Sequence, residues 1–338
     1  MIKESRSYPL LAELMNRPPL SWRLKTVLIA AILLIPLIVI AQLEGALDHQ
    51  PTWEFWRTSI FSPVIIIYTL IVYPFVLRLW NTALESYRPL VSMSEEQFNQ
   101  LAVECTLVKR RYEWLAVFFG FIFVVVLFRP WEWVDSWRDV YQVITNMLMF
   151  GLLSWLIYSL VYGSRKLSKL SQQNLILDIF NTKLLSPMAR LSLGNSLSFV
   201  GGISLSLVFQ TQQGLLEWQS IVIYSVLVLA TIVIFYISNW NIHKMMVHMK
   251  RREMDVVQEQ LATMSRKLKE LSSDGQIEGL ADLSSSVAGW SAYKNQVQET
   301  PEWPFNAGII RRLFASVLAP ASIYLIKILS TLGIRISF

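Results

Sequence analysis

One uninterrupted stretch, residues 221–271, constrains this chain more than any other. It begins as an apolar run that ends near Trp240 and continues, without glycine or proline, into a charged segment. Apolar residues in the charged segment recur at a seven-residue step, with a second set three residues later, which is the seam pattern of a coiled coil. The pattern predicts one helix that leaves a membrane and becomes a coiled coil in water. Its seam residues are Val247, Met254, Val257, Leu261, Met264, Leu268 and Leu271.

The composition of the whole chain requires a bilayer as solvent. Hydrophobic residues make up 54% of the 338 and charged residues 16%, and the mean hydropathy is +0.43. These values exclude a soluble globular domain and predict an all-α polytopic membrane protein. The net charge of +6 does not indicate a nucleic-acid partner, because no basic tract stands apart from an apolar run. The lipid bilayer is therefore the first predicted partner, and nucleic acid is not expected.

The apolar runs predict about seven transmembrane helices. They cover residues 26–43, 58–77, 114–128, 141–161, 191–209, 221–240 and 313–332. We divide the chain into four parts accordingly. These are an amphipathic amino-terminal segment (1–25), a six-helix membrane domain (26–240) with a cytosolic helical extension near 94–113, a cytosolic coiled-coil segment (241–300), and an interfacial brace followed by the last span (301–338).

The distribution of basic residues predicts the orientation. Lys and Arg number 25 in the segments that alternate onto one side of the predicted spans and 4 in the segments on the other side. Loops rich in Lys and Arg stay in the cytoplasm. We therefore expect a cytoplasmic amino terminus and, if the last run spans fully, a carboxyl terminus outside.

A second seam precedes the third span. Ser94 followed by Gln97 is a helix-start signal. Apolar residues then alternate at steps of three and four, which predicts a helix that continues directly into the span; they are Phe98, Leu101, Cys105, Val108 and Tyr112. Cys105 is the one cysteine of the chain, so no internal disulfide can form, and a buried small side chain is favoured over a reactive thiol.

The two seams can pair in two ways. Within one subunit they would meet antiparallel, because the first climbs toward the membrane and the second descends from it. Between subunits, two descending helices would pair in parallel and form a homo-oligomer. We expect the first pairing, with the longer helix extending beyond it to a second copy or to a cytosolic protein partner.

The fifth span carries a small residue at every fourth position along one face, namely Gly194, Ser198, Gly202 and Ser206. Such a face lets another helix approach closely, and helix packing is the favoured interpretation. A pore-lining or substrate-lining face of serine hydroxyls is the alternative.

Aromatic residues and one lysine lie near the predicted membrane boundaries. We expect interfacial anchoring from Trp131, Trp133, Trp137, Trp303 and Phe305, with an aromatic ligand platform as the alternative for the first three. Lys327 lies inside the last predicted span. A charge at that depth is either a functional site or, because it is near the outer end, a side chain that reaches the headgroups.

Two segments carry a family resemblance. They are LLSPMARLSLGN (184–195), which enters the fifth span, and PEWPFNAGIIRRL (301–313), which enters the last. Both motifs, and the order of the segments between them, resemble a set of uncharacterised bacterial multi-pass membrane proteins. The resemblance implies a bacterial inner membrane and no activity, cofactor or site residue.

No motif in the sequence indicates an enzyme. His243 and His248 are five residues apart, which does not place two metal ligands on one helix face. No phosphate-binding loop, nucleophile elbow or cysteine cluster is present in the sequence, so we expect no cofactor. The favoured function is a scaffold or signalling protein that assembles through coiled-coil helices, and the alternative is an oligomeric channel.

Overall fold

Helices make up nearly all of the regular structure. The computed structural model describes residues 6–18, 20–45, 53–91, 94–171, 186–273, 280–303 and 322. Its α-helices, in chain order, are α1 (Leu10–Asn16), α2 (Trp22–Leu43), α3 (Trp53–Glu85), α4 (Glu95–Thr106), α5 (Arg110–Phe128), α6 (Trp137–Ser171), α7 (Ser186–Phe209), α8 (Gln212–Leu216), α9 (Trp218–Ser273) and α10 (Leu280–Glu299). Two short strands, β1 (Arg6–Ser7) and β2 (Val108–Lys109), pair antiparallel.

Six helices within the described ranges are long and apolar enough to cross a membrane, namely α2, α3, α5, α6, α7 and α9. They contain the first six predicted spans, so the prediction of an all-α multi-pass membrane protein is confirmed. Large apolar side chains such as Phe119, Val126 and Ile232 point out of the bundle and are exposed, as lipid-facing residues must be. Apart from Ser322, the seventh predicted span, with Lys327, lies outside the described residues, as does Phe305 before it.

The sequence correctly predicted that α9 is continuous. It runs for 56 residues from Trp218 to Ser273. At 1.5 Å per residue, the part beyond Trp240 extends about 50 Å from the apolar span. No glycine or proline interrupts it, and those are the residues at which long helices usually kink.

Helix α10 folds back along the distal half of α9, and we call this pair the hairpin. Val257 of α9 and Val297 of α10 are both 0% exposed, which places them in the contact between the two helices. The remaining seam residues of α9 that the structure describes keep some exposure; they are Val247, Met254, Leu261, Met264 and Leu268. Leu271 also lies within α9. One partner helix therefore covers only part of the seam.

The prediction that residues 98–112 form one helix leading into the third span is wrong. Helix α4 does begin at Ser94, with the predicted capping box to Gln97, but it ends at Thr106. Leu107 is extended, and β2 then pairs with β1, with Ser7 opposite Val108. The distant amino-terminal strand supplies backbone partners at the point where the helix ends, and α5 begins anew at Arg110.

Three residues of the second seam, Phe98, Leu101 and Cys105, pack into a cluster at the hairpin end of the bundle instead of along the distal half of α9. Phe98, Cys105 and Val108 are buried, Leu101 is half-buried and Tyr112 is exposed. The cluster joins α3, α4, α6, α7 and α9, and the α9 residues in it are Ile242 and Met246, close to the span. The distal seam of α9 faces α10, so the predicted pairing of the two seams is replaced by the hairpin.

Candidate functional site

Four helices, α3, α6, α7 and α9, form most of the wall of a cavity in the membrane domain. Its volume is about 380 Å³, which falls within the range of small-molecule sites, roughly 300–1,000 Å³. Most of its wall is apolar or aromatic, and the aromatic residues include Phe61, Tyr68, Phe128, Phe150, Phe199 and Tyr224. A wall of this kind suits an apolar or amphipathic molecule.

The polar groups of the cavity concentrate at the end opposite the hairpin, where α6 begins, α7 ends and α9 begins. They include Gln142, Asn146, Gln210, Glu217 and Gln219. Among the described residues that line the cavity, Glu217 is the one that carries a formal charge. Amide groups at one end and aromatic rings along the wall give the cavity an amphipathic character.

Two hydrogen bonds between side chains fix polar residues around the cavity. The Ser62 hydroxyl of α3 donates to the Asn146 Oδ1 of α6. The Ser206 hydroxyl of α7 lies 3.1 Å from the Tyr224 hydroxyl of α9 and also donates to the Ile203 carbonyl oxygen. The cavity wall is therefore held together across all four helices by polar contacts as well as by packing.

The small-residue face of α7 both packs against α3 and lines the cavity. A Cβ atom at Gly194 would collide with the Leu79 side chain, and one at Gly202 would lie 3.4 Å from the Tyr68 ring. The Tyr68 hydroxyl donates to the Ser198 carbonyl oxygen over 2.8 Å. Ser198, Gly202 and Ser206 are also part of the cavity wall. This face therefore packs against a neighbouring helix and also lines a cavity, the two arrangements that its sequence pattern allows.

A buried polar contact connects α7 to α9 closer to the hairpin. The Ser192 hydroxyl donates to Asn239 Oδ1 over 2.9 Å, and the Asn239 amide donates to the Phe235 carbonyl oxygen over 2.6 Å. Asn195 and Ser196 are buried beside Ser192 on α7. The apolar pattern of α7 and α9 does not single out these residues, although amide side chains inside apolar spans are a recognisable signal of helix–helix contacts.

A buried carboxylate, also missed by the sequence analysis, ties the amino-terminal helix to the bundle. Glu113 lies in the first turn of α5 and is 1% exposed. It accepts hydrogen bonds from the Trp155 indole nitrogen at 2.8 Å and from the Leu10 backbone nitrogen at 3.0 Å. The Arg110 guanidinium lies 3.3 Å away. The apolar run that predicts the third span starts at residue 114, so Glu113 lies just outside it in the sequence.

The carboxyl end of α1 is held by a lysine from α2. The Lys25 ammonium group donates to the carbonyl oxygens of Leu14 at 2.7 Å and Met15 at 3.2 Å, and also to that of Arg17. A cation suits the unsatisfied carbonyl groups at a helix carboxyl terminus. With Glu113 at its other end, α1 is fixed to the bundle at both termini.

The predicted interfacial tryptophans do not form one platform. Trp131 and Trp137 are exposed, whereas Trp133 donates its indole N–H to the Phe128 carbonyl oxygen at 2.7 Å and lines the cavity. Trp303 lies at the other end of the bundle, where its ring stacks on His243 with the centroids 3.9 Å apart.

No family model, curated protein or solved structure matches the chain. Within the described ranges, no group of three His, Cys, Asp or Glu side chains could hold a metal ion. The candidate site is therefore defined by its geometry, which is an amphipathic cavity with α9 as one wall.

Proposed function

We propose that the protein is a non-enzymatic integral membrane scaffold or signalling protein that assembles through its hairpin. One observation carries the proposal. The first turns of α9 line the cavity with Ser220, Ile223, Tyr224 and Leu227, and the last turns of the same helix form the hairpin with α10. An uninterrupted helix moves largely as a rigid rod, so a change in the cavity wall would reach the hairpin as a shift or rotation.

The occupant we propose for the uncovered side of the hairpin is a second copy of the chain. Two helices alone bury a narrow strip, and several seam residues of α9 retain some exposure. Val256, next to the buried Val257, is 44% exposed. Two hairpins packed side by side would form a four-helix bundle, which buries such positions in its core. A cytosolic protein partner with an apolar helix is the other outcome of the test.

The charge distribution supports a cytoplasmic location for this assembly. The hairpin follows the apolar span of α9 and belongs to the Lys- and Arg-rich side of the chain. Together with the resemblance to bacterial multi-pass proteins, this supports an inner-membrane protein with the amino terminus and the hairpin on the cytoplasmic side.

Cysteine crosslinking in native membranes tests the assembly. In a Cys105→Ser background, Val256→Cys should give disulfide-linked dimers under mild oxidation. Gln258→Cys is the matched control, because it is exposed on the other flank of Val257, about 200° around the helix from Val256. Monomer alone from Val256→Cys, or equal crosslinking at both positions, would remove self-association through this face.

The alternative function is a channel, and the position of the small-residue face favours it. Ser198 and Ser206 line a cavity of about 380 Å³ inside the membrane domain. Conductance of purified protein in planar bilayers separates the two functions, because a scaffold should give none. A conductance abolished by Gly202→Phe, which would fill the cavity, would favour the channel over the scaffold.

A further inference from the structure

A surface depression lies on α9 at the point where the helix leaves its apolar span. Its volume is about 280 Å³, and its wall is formed by Trp240, His243, Lys244, Val247, His248 and Arg251. Trp240, Lys244, His248 and Arg251 follow one another at steps of four, four and three, so they share one face of the helix. The side chains of Lys244, His248 and Arg251 are exposed.

The formally charged side chains that line the depression, Lys244 and Arg251, are both positive. Among the described residues, no carboxylate lines the depression, and α9 contains no Asp or Glu before Glu253. Glu302, in the segment that packs here, pairs its carboxylate with Lys250, which does not line the depression. Its carboxylate lies 3.3 Å from the Lys250 ammonium, and its carbonyl oxygen lies 2.8 Å from the His243 Nδ1. Asp255 follows Arg251 by one turn and lies farther from the span.

Two tryptophans mark the depth of the depression. The Lys244 ammonium lies 5.4 Å from the centre of the Trp240 ring, and Trp303 stacks on His243. Indole rings concentrate at the level of lipid headgroups because they are apolar in body and polar at one edge. The apolar run of α9 ends at Trp240, and Lys244 follows one turn later, about 6 Å along the helix axis, which is within the depth expected for a headgroup layer.

We propose that this depression binds the phosphate group of an anionic phospholipid. A phosphodiester accepts charge-assisted hydrogen bonds from an ammonium and a guanidinium, which Lys244 and Arg251 supply. An anionic headgroup with no ammonium group of its own complements the positive charges of Lys244 and Arg251. A zwitterionic headgroup would bring its own cation close to them. Binding here would hold α9 at a fixed depth and rotation. The proposal does not depend on the function of the hairpin.

The test compares two triple variants of the full-length protein. Lys244→Gln/His248→Gln/Arg251→Gln removes the depression's two formal positive charges and its imidazole, and Lys267→Gln/Lys269→Gln with Thr263→Gln removes two exposed cations farther along the same helix. Lys267 lies about 35 Å from Lys244, beyond the screening length of about 8–10 Å at physiological salt. Binding is measured by native mass spectrometry after exchange into mixed phosphatidylglycerol and phosphatidylcholine micelles.

The wild type and the distal variant should retain phosphatidylglycerol roughly tenfold better than phosphatidylcholine. The variant substituted at Lys244, His248 and Arg251 should lose that preference. An equal loss in both variants would overturn the proposal, because net charge alone would then explain the preference. Displacement of phosphatidylglycerol by inorganic phosphate at equal concentration would reassign the depression to a free anion and overturn the lipid assignment. The single variant Arg251→Glu provides a second test with a smaller perturbation, and an unchanged preference there would also contradict the proposal.

Discussion

The Glu113 carboxylate of α5 accepts a hydrogen bond from the Trp155 indole of α6 over 2.8 Å, and both residues are 1% exposed. The same carboxylate accepts from the Leu10 backbone nitrogen, so one side chain joins two spans to the amino-terminal helix. A buried carboxylate is stable only when its oxygen atoms are satisfied, and here an indole, a backbone amide and a guanidinium satisfy them.

Removing this carboxylate should destabilise the bundle. We expect Glu113→Ala to lower the free energy of unfolding by about 3 kcal/mol, because the buried donors of Trp155 and Leu10 lose their acceptor. Glu113→Gln keeps one acceptor and should cost about half as much. Thermal unfolding in detergent measures both, and Glu96→Ala on the exposed surface of α4 is the control. A Glu113→Ala variant as stable as the control would contradict the role given to this residue.

The contact between α5 and α6 depends on a glycine. A Cβ atom at Gly120 would collide with the Phe150 carbonyl oxygen and would lie 2.7 Å from the Gly151 Cα. Both are backbone atoms that cannot rotate away, so Gly120→Ala should destabilise the bundle by about 1–3 kcal/mol. At Gly202 the nearest atom is 3.4 Å away, an ordinary contact, so Gly202→Ala should cost less than about 1 kcal/mol. Equal melting temperatures for the two variants would show that α5 and α6 do not approach this closely.

The thiol of Cys105 should react slowly. Burial raises the pKa of the Cys105 thiol above its ordinary value, so the nucleophilic thiolate is scarce at neutral pH, and reagents cannot reach the buried sulfur. We expect alkylation in the folded protein to be roughly tenfold or more slower than at Val103→Cys in a Cys105→Ser background, since Val103 is exposed on the same helix. Comparable rates would mean that the cluster around Cys105 opens readily.

Lys250 should hold the end of α10 against α9. Its ammonium donates to the carbonyl oxygens of Gln298 at 2.8 Å and Thr300 at 3.0 Å, where the helix ends. Lys250→Met removes both bonds and the favourable charge at a helix carboxyl terminus, which together contribute about 1–2 kcal/mol. Amide hydrogen exchange in α10 should therefore quicken, whereas Arg252→Met, an exposed neighbour, should leave it unchanged. Equal rates of amide hydrogen exchange in α10 of the two variants would show that Lys250 does not cap this helix.

The attachment of α1 should weaken in acid. Hydrogen bonds from Arg17 and then Arg110 hold the pKa of the Glu13 carboxyl below its ordinary value. A carboxylate with a lowered pKa stabilises the fold above the pKa of the unfolded chain, and this contribution is lost as the pH falls through the folded pKa. Hydrogen exchange of α1, corrected for the intrinsic pH effect, should therefore rise below about pH 4.5. Glu13→Gln should abolish this pH dependence of exchange in α1. If exchange still rose in acid in this variant, a different titrating group would be responsible.

The long helices were predictable because their signals are local. Each apolar run is long enough to span a bilayer, and the hydrophobic seam of α9 is contained in its own sequence. Neither prediction required knowledge of a distant residue.

What could not be predicted depends on contacts between residues far apart in the chain. The break between α4 and α5 coincides with the pairing of Val108 with Ser7, and no pattern within residues 98–112 shows that a strand from the amino terminus lies there. The cavity is formed by four helices whose arrangement periodicity does not determine. Glu113 reads in sequence as a boundary charge, and it becomes an anchor only when Trp155 and Leu10 are brought to it.

The small ladder between β1 and β2 also sets an order of biosynthesis. Its partners, Ser7 and Val108, are separated by the first two membrane-crossing helices and by α4. The amino terminus thus leaves the ribosome first but cannot reach its final position until α5 begins to emerge, and its anchor on Trp155 follows later still. During translation, this amino-terminal segment therefore stays unanchored until α2, α3, α5 and part of α6 have been made.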